Sequence, residues 1–148
     1  MARRYTVEEV NQLLPEVNRR WQSVLELRAQ IRRATDRLEA EGHTAGDPLP
    51  ADASPEARRD HLVVVALRDS LRDELAAIGD TGCVVRDLDT GLCDWLGEHG
   101  GRDVWLCWRF GERELAWFHE LDAGFAGRRP VSELTEPARS PESPRSRR

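Results

Sequence analysis

The feature that most constrains the fold is a long stripe of mostly apolar residues in the first forty positions. The stripe recurs at intervals of three and four residues, at Leu14, Val17, Trp21, Val24, Arg28, Ile31, Thr35 and Leu38. This spacing is typical of a helix that packs lengthwise on a partner, as in a coiled coil. Thr6 and Glu9 form a capping box, which predicts that the helix begins near residue 7. Pro15 predicts either a kink or a short first helix that ends before it.

A second helical stripe follows a segment of helix breakers. Residues 42–53 have no periodicity and contain several Gly and Pro residues, which predicts a loop. Ser54 and Pro55 then supply a cap and a first-turn proline. The second stripe comprises Val64, Leu67, Leu71, Leu75 and Ile78. Two long helices joined by one loop predict an antiparallel hairpin over residues 7–79.

The pattern changes to short strands after Gly82. The candidate strands are Cys83–Val85, Leu92–Leu96, Asp103–Arg109 and Glu114–Leu121. Within the third, alternation places Val104, Leu106 and Trp108 on one face. Residues 97–102 are predicted to form a turn, and residues 124–130 an ordered loop.

These elements predict an α+β protein in which an N-terminal antiparallel helical hairpin packs on a small, mostly antiparallel sheet of three to four strands. We expect a single domain over residues 1–134, with its β-rich half at 82–131. The tail over residues 135–148 is rich in Ser, Pro and Arg, and we expect it to be disordered.

Composition excludes several classes of function. The net charge is −5, which argues against nucleic-acid binding because that needs a basic face. The three cysteines are odd in number and lack CxxC spacing, so they indicate reduced thiols rather than a disulfide framework. The sequence contains no stretch long and apolar enough to span a membrane, so we expect a cytoplasmic protein.

Polar residues cluster in two of the β-rich segments. Residues 86–94 hold an Arg and three carboxylates, including Asp87 and Asp94, which could ligate a divalent cation or form an ion-pair network. The alternative is a tight turn with Asx hydrogen bonds and Gly91 at positive φ. Asp89-Thr90-Gly91 also matches the short aspartic-protease signature, but no second all-β half accompanies it.

Residues 115–120 place His119 beside large aromatic residues. Alternation puts His119 on one face and Glu120 on the other. His119 could act as a base or metal ligand, or hydrogen-bond within a core. Cys107 is either a core residue or a soft ligand facing His119. Arg128 follows a Gly-containing loop and could bind an anion together with the loop amides.

The combined motifs resemble a known family. They are Arg86-Asp87-Leu88-Asp89-Thr90-Gly91-Leu92-Cys93-Asp94-Trp95, Val104-Trp105-Leu106-Cys107-Trp108-Arg109-Phe110-Gly111-Glu112, Trp117-Phe118-His119-Glu120 and Gly124-Phe125-Ala126-Gly127-Arg128, preceded by the Tyr5-Thr6 to Leu13-Leu14-Pro15 start. Over about residues 5–131 the chain is similar to the bacterial family named domain of unknown function 2203. Cys93 departs from the family pattern, where an aliphatic residue is usual. The resemblance implies no activity, substrate or cofactor.

The leading hypothesis is a site for a small ligand or a divalent metal on the β-rich half, with Trp108 and Trp117 as its walls. Its candidate ligand-binding residues are Asp87, Asp94, Trp108, Glu112, Trp117, His119, Glu120 and Arg128, and its candidate metal ligands are Cys107, His119 and Glu120. The alternative is a non-catalytic interaction module that uses the hairpin for self-association or partner binding. A third hypothesis, hydrolysis using His119 with Glu120 or Asp94, has no nucleophile signature to support it.

Overall fold

Two long helices open the chain, α1 (Val7–Ala40) and α2 (Pro55–Asp80). The predicted capping box is confirmed in this computed structural model: the Glu9 N–H donates to Thr6 Oγ1, and the Thr6 N–H donates to the Glu9 carboxylate, both at 3.1 Å. Helix α1 continues through Pro15, so a short first helix ending before this proline is wrong. A proline removes a single hydrogen bond, and the other turns of a 34-residue helix keep theirs.

The structure describes residues 2–134, so the predicted disordered tail lies outside the described residues. Neither α1 nor α2 carries an apolar stretch of the length a bilayer requires. The chain divides into two compact units, one running from Asn18 to Ile78 and the other combining the segment up to Val17 with the chain from Gly79 onward. The first eleven residues of α1 therefore belong to the unit that contains the strands.

In the first unit, the two helices form the predicted antiparallel hairpin. Arg20 pairs with Glu74, and Arg37 pairs with Asp60, so positions rise along α1 as they fall along α2. Apolar packing holds the hairpin near its loop, where the buried residues are Ala34, Leu38, Ala57 and Val64. Burial of these apolar side chains, rather than helix propensity alone, stabilises the two helices.

The second unit contains a five-stranded antiparallel sheet in sequential order. Its strands are β1 (Val84–Asp87), β2 (Leu92–His99), β3 (Arg102–Arg109), β4 (Trp117–Glu120) and β5 (Arg129–Pro130). The predicted α+β class and hairpin are confirmed, while the sheet has one strand more than the three to four expected. The extra strand, β5, spans two residues in a segment predicted as loop, and its proline gave no strand signal.

The turn between β2 and β3 is shorter than predicted. Only Gly100 and Gly101 form it, with φ values of 58° and 80°, as a two-residue type I′ hairpin requires. The predicted turn over residues 97–102 is therefore wrong, because Gly97 lies within β2. A Cβ at Gly97 would lie 2.7 Å from Leu106 Cγ, so this glycine serves close packing inside the sheet.

The strand register gives the sheet two chemically different faces. Trp95, Leu106 and Phe118 lie in register on one face, which we call the aromatic face, together with Cys93 and Trp108. All five are 1% exposed or less. The opposite face, which we call the polar face, carries Asp94, Cys107 and His119.

Candidate metal centre

Three potential metal ligands meet on the polar face. Asp94 on β2 lies directly opposite Cys107 on β3, and His119 on β4 lies opposite Trp105, two residues before Cys107. One ligand atom from each of the three side chains lies within 4.8 Å of the other two. All three residues are buried, with exposures of 1% for Asp94, 0% for Cys107 and 4% for His119. Register alone therefore gathers a carboxylate, a thiol and an imidazole from three strands.

The two ring nitrogens of His119 both face oxygen atoms. Nδ1 lies 2.9 Å from the backbone carbonyl of Glu120, and Nε2 lies 3.2 Å from Asp94 Oδ2. The carbonyl can only accept, so Nδ1 carries a proton and donates it. A neutral imidazole then has a lone pair at Nε2 directed at a carboxylate oxygen. A cation between Nε2 and Asp94, either a proton or a metal ion, turns this contact into an attractive one.

The Asp94 carboxylate is only partly paired. Arg86 Nε donates to Oδ2 at 3.0 Å, the same oxygen that His119 faces. The second oxygen, Oδ1, is buried and has no hydrogen-bond partner of good geometry within the described residues. A buried carboxylate oxygen without a donor costs free energy, so Oδ1 is the natural place for a further cation or donor.

Cys107 is held as a thiol. Burial and, after it, the negative charge of Asp94 raise the pKa of this side chain to about 12, although the nearby Arg128 acts in the opposite direction. A protonated thiol is a poor nucleophile, which argues against covalent catalysis by Cys107. A metal ion at this position would displace the proton and bind the thiolate.

An open cleft of about 340 Å³ borders two of the three residues. Asp94 and His119 line it, together with Arg86, Leu92, Trp105 and Phe125. The Arg86 guanidinium stacks on Trp105, with its Cζ 4.7 Å from the ring centroid. The ligand cluster is thus buried in the sheet on one side and borders solvent-accessible space on the other.

Two residues predicted to belong to the site lie elsewhere. The Glu120 side chain emerges on the side of the sheet opposite to His119 and pairs with Arg102 (2.6 Å) and Arg129 (3.2 Å). It contributes its backbone carbonyl to His119, not a carboxylate to a metal. Trp108 lies on the aromatic face, so it does not wall the site. The carboxylate in the cluster is instead Asp94.

Three further predicted residues form a support behind Cys107. Arg128 donates to both oxygens of Glu112, at 2.7 and 2.9 Å, and to the Cys107 carbonyl at 3.1 Å. Its guanidinium lies between the Trp117 and Phe125 rings, at 5.5 and 4.6 Å from their centroids. The Arg128 guanidinium is therefore paired with Glu112 and holds the chain beside the cluster. The sequence had suggested instead that Arg128 could bind an anion.

Asp87 closes the connection between β1 and β2. Its carboxylate accepts hydrogen bonds from the Asp89 N–H and the Thr90 hydroxyl, both at 3.0 Å, and Gly91 has a φ of 69°. The tight turn with Asx hydrogen bonds is confirmed. Arg86, the residue before Asp87, lies at the irregularity in β1 and donates to Asp94.

Sequence analysis did not assign roles to Trp105 or Phe125, and it named Arg86 only within a segment that could form an ion-pair network. Arg86 adjoins a conspicuous acidic run, and Trp105 follows directly from the alternation in β3, so both left a signal. Phe125 left none, because it lies in an irregular 3₁₀ turn (Phe125–Gly127) whose position depends on Arg128.

Comparisons with known proteins place the chain in a family. No curated protein and no solved structure matched it. A family model described as "Uncharacterized conserved protein (DUF2203)" matches residues 3–131, a span that includes every residue of the cluster and its supports. The resemblance found in the sequence is thereby confirmed, and the chain belongs to the DUF2203 family.

Proposed function

We propose that the sheet binds a divalent transition-metal ion, with zinc as the first candidate, through Asp94, Cys107 and His119. The observation that carries the proposal is the convergence of these three side chains within 4.8 Å on the polar face. A thiolate and an imidazole favour zinc and related metals over magnesium or calcium. Three protein ligands beside an open cleft leave a position for water or a small ligand, as in catalytic zinc sites.

The hydrogen bonds around the cluster support a metal ligand role for His119. Its Nδ1 donates to the Glu120 carbonyl, which fixes the ring and leaves Nε2 as the ligand atom. Nε2 then faces Asp94 Oδ2 at 3.2 Å, an arrangement that a shared cation stabilises. Asp94 Oδ1, which is buried and has no hydrogen-bond partner of good geometry within residues 2–134, gives the carboxylate a second atom with which to bind.

Charge balance also supports the proposal. Asp94 and a Cys107 thiolate would together neutralise a divalent ion, while Arg128 is already neutralised by Glu112. The energetic cost lies in removing the proton from Cys107, since its pKa is raised to about 12. Coordinated thiols are deprotonated by the ion itself, so this cost reduces the affinity without preventing binding.

Titration with Co²⁺ tests the proposal in two independent ways. The metal-free protein should bind one equivalent and develop the near-ultraviolet band of a cobalt–thiolate bond. Cys107→Ala should lose that band. Cys93→Ala is the matched control, because Cys93 is equally buried, at 0% exposure, but lies on the aromatic face. Loss of the band in both variants, or no band in the wild type, would exclude a site at Cys107.

A second candidate function is self-association of the hairpin. It is favoured by Leu62 and Val65 on α2, which are 69% and 50% exposed and lie one helical turn apart. A second copy of the same chain is the natural occupant, since symmetric dimers use the same patch on both partners. Sedimentation analysis should show a concentration-dependent dimer that Leu62→Glu abolishes. A monomer at all accessible concentrations would exclude this candidate.

A further inference from the structure

The cleft beside the cluster has its own recognition chemistry. Its lining includes the apolar side chains of Leu92, Trp105 and Phe125 and the polar side chains of Arg86, Asp94 and His119. A volume of about 340 Å³ is at the lower end of the range for small-molecule sites. The space therefore suits a compact ligand with an apolar body and one polar end.

Arg86 is oriented to receive that polar end. Only its Nε is occupied, by Asp94 at 3.0 Å, and its terminal nitrogens make no hydrogen bond within residues 2–134. The guanidinium is held in place by the Trp105 ring, 4.7 Å from Cζ, and 40% of the side chain remains exposed. A planar, fixed guanidinium with free donors is a preferred partner of carboxylates.

The charge of the cluster depends on the metal. Without an ion, the Asp94 carboxylate balances the charge of Arg86. A bound divalent ion adds positive charge beside Arg86, so the loaded cleft favours an anion. Asp122 also borders the cleft, but it is solvent-exposed, so water and salt screen its charge.

We propose that the metal-loaded cleft binds a small monocarboxylate, with its carboxylate between the ion and Arg86 and its apolar body against Trp105 and Phe125. This inference rests on the proposed metal site and specifies its ligand class. It makes Arg86 a specificity-determining residue that is not itself a metal ligand. It also requires carboxylate binding to depend on the metal.

Benzoate is a suitable probe, and benzamide is its uncharged counterpart of nearly the same shape. Added to the Co²⁺-loaded protein, benzoate should change the visible cobalt spectrum saturably, while benzamide should bind at least about tenfold more weakly. Arg86→Gln should retain the cobalt–thiolate band and lose at least about tenfold in benzoate affinity. Arg86→Lys keeps the charge but lacks the planar guanidinium, so its benzoate affinity should lie between those of the wild type and Arg86→Gln. Arg113→Gln, at an exposed arginine outside the cleft, should behave as the wild type.

The outcomes separate this inference from the metal site. If Co²⁺ binds with its thiolate band but benzoate has no effect, or binds Arg86→Gln equally well, the carboxylate inference is wrong and the metal site stands. If metal-free protein binds benzoate as tightly as the loaded protein, the charge argument fails. If Co²⁺ itself does not bind, the proposed metal site is wrong, whatever the result with benzoate.

Discussion

Two buried aspartates, one in each unit, are paired to very different extents. In the hairpin, Asp60 is 5% exposed, and Arg37 donates to both of its carboxylate oxygens at 2.9 to 3.1 Å. In the sheet, Asp94 is 1% exposed, and within residues 2–134 its Oδ2 pairs with Arg86 while its Oδ1 has no hydrogen bond of good geometry; its neighbours include Cys107 and His119. The hairpin thus satisfies its buried charge internally, while the sheet leaves donor atoms for something else to bind.

The difference supports the proposal that the sheet cluster serves binding, while the hairpin pair serves the fold. A fully paired buried carboxylate is accounted for by the fold alone. A partly paired one costs stability, and such costs are typically retained where they serve binding or catalysis. Changing each region and measuring both stability and metal binding tests this contrast.

The largest effect on stability should come from the hairpin core. Leu38 is 2% exposed within the Ala34, Ala57 and Val64 cluster, so Leu38→Ala should cost about 2–5 kcal/mol of unfolding free energy. Leu62→Ala provides the matched control, because Leu62 is 69% exposed and should cost below about 0.5 kcal/mol. Chemical denaturation measures both, and Co²⁺ affinity should be unchanged in each. Weakened cobalt binding in Leu38→Ala would show that the hairpin contributes to the site.

Asp94→Asn should have the opposite effects, weakening Co²⁺ binding while changing stability little. The substitution keeps an oxygen ligand and removes its charge, so Co²⁺ affinity should fall about 100-fold, equivalent to about 2.7 kcal/mol. The midpoint of thermal unfolding should stay within a few degrees of the wild type, because the buried carboxylate is poorly satisfied in the absence of metal. Asp60→Asn is the control and should bind Co²⁺ normally. A strongly destabilised Asp94→Asn with unaltered cobalt affinity would assign Asp94 to the fold.

Acid stability should reveal the role of Asp60. Hydrogen bonds from Arg37 lower the pKa of this carboxyl below its usual value, so ionised Asp60 stabilises the folded state at any pH above its unfolded pKa of about 3.9. That contribution is lost as the pH falls through the folded pKa. Since 57% of the Arg37 side chain is exposed, the effect is modest, and Asp60→Asn should lower the thermal midpoint at neutral pH by less than about 4 °C.

The pH profile provides the check. Below about pH 5, the stability of the wild type should fall more steeply than that of Asp60→Asn, and the two curves should converge at the lowest pH. Parallel curves over the whole range would mean that the Arg37 pair contributes nothing to acid stability.

The elements were predictable from the sequence, but the ligand cluster was only partly so. Asp94 within an apolar run, Cys107 within an alternating strand and His119 beside aromatic residues each gave a local signal. Alternation alone placed Glu120 on the face opposite to His119, where its side chain pairs with Arg102 and Arg129.

The pairing of Asp94 with Cys107 depends on the length of the turn. A two-residue turn at Gly100 and Gly101 pairs His99 with Arg102, and counting back from there brings Asp94 opposite Cys107. Gly97 made this register hard to predict. In the sequence, a strand glycine that packs against Leu106 cannot be told from a turn glycine. The position of β4 relative to β3 follows an irregular connection over residues 110–116, and no sequence rule gives its register.

X-ray absorption spectroscopy of the protein loaded with one equivalent of Zn²⁺ tests the central claim most directly. A site formed by Asp94, Cys107 and His119 predicts four-coordinate zinc with one sulfur at about 2.3 Å and the remaining nitrogen and oxygen ligands at about 2.0–2.2 Å. The sulfur shell should disappear in Cys107→Ala and persist in Cys93→Ala. A shell of oxygen and nitrogen alone in the wild type would contradict the account, because it would place the metal away from the three side chains that the sheet brings together.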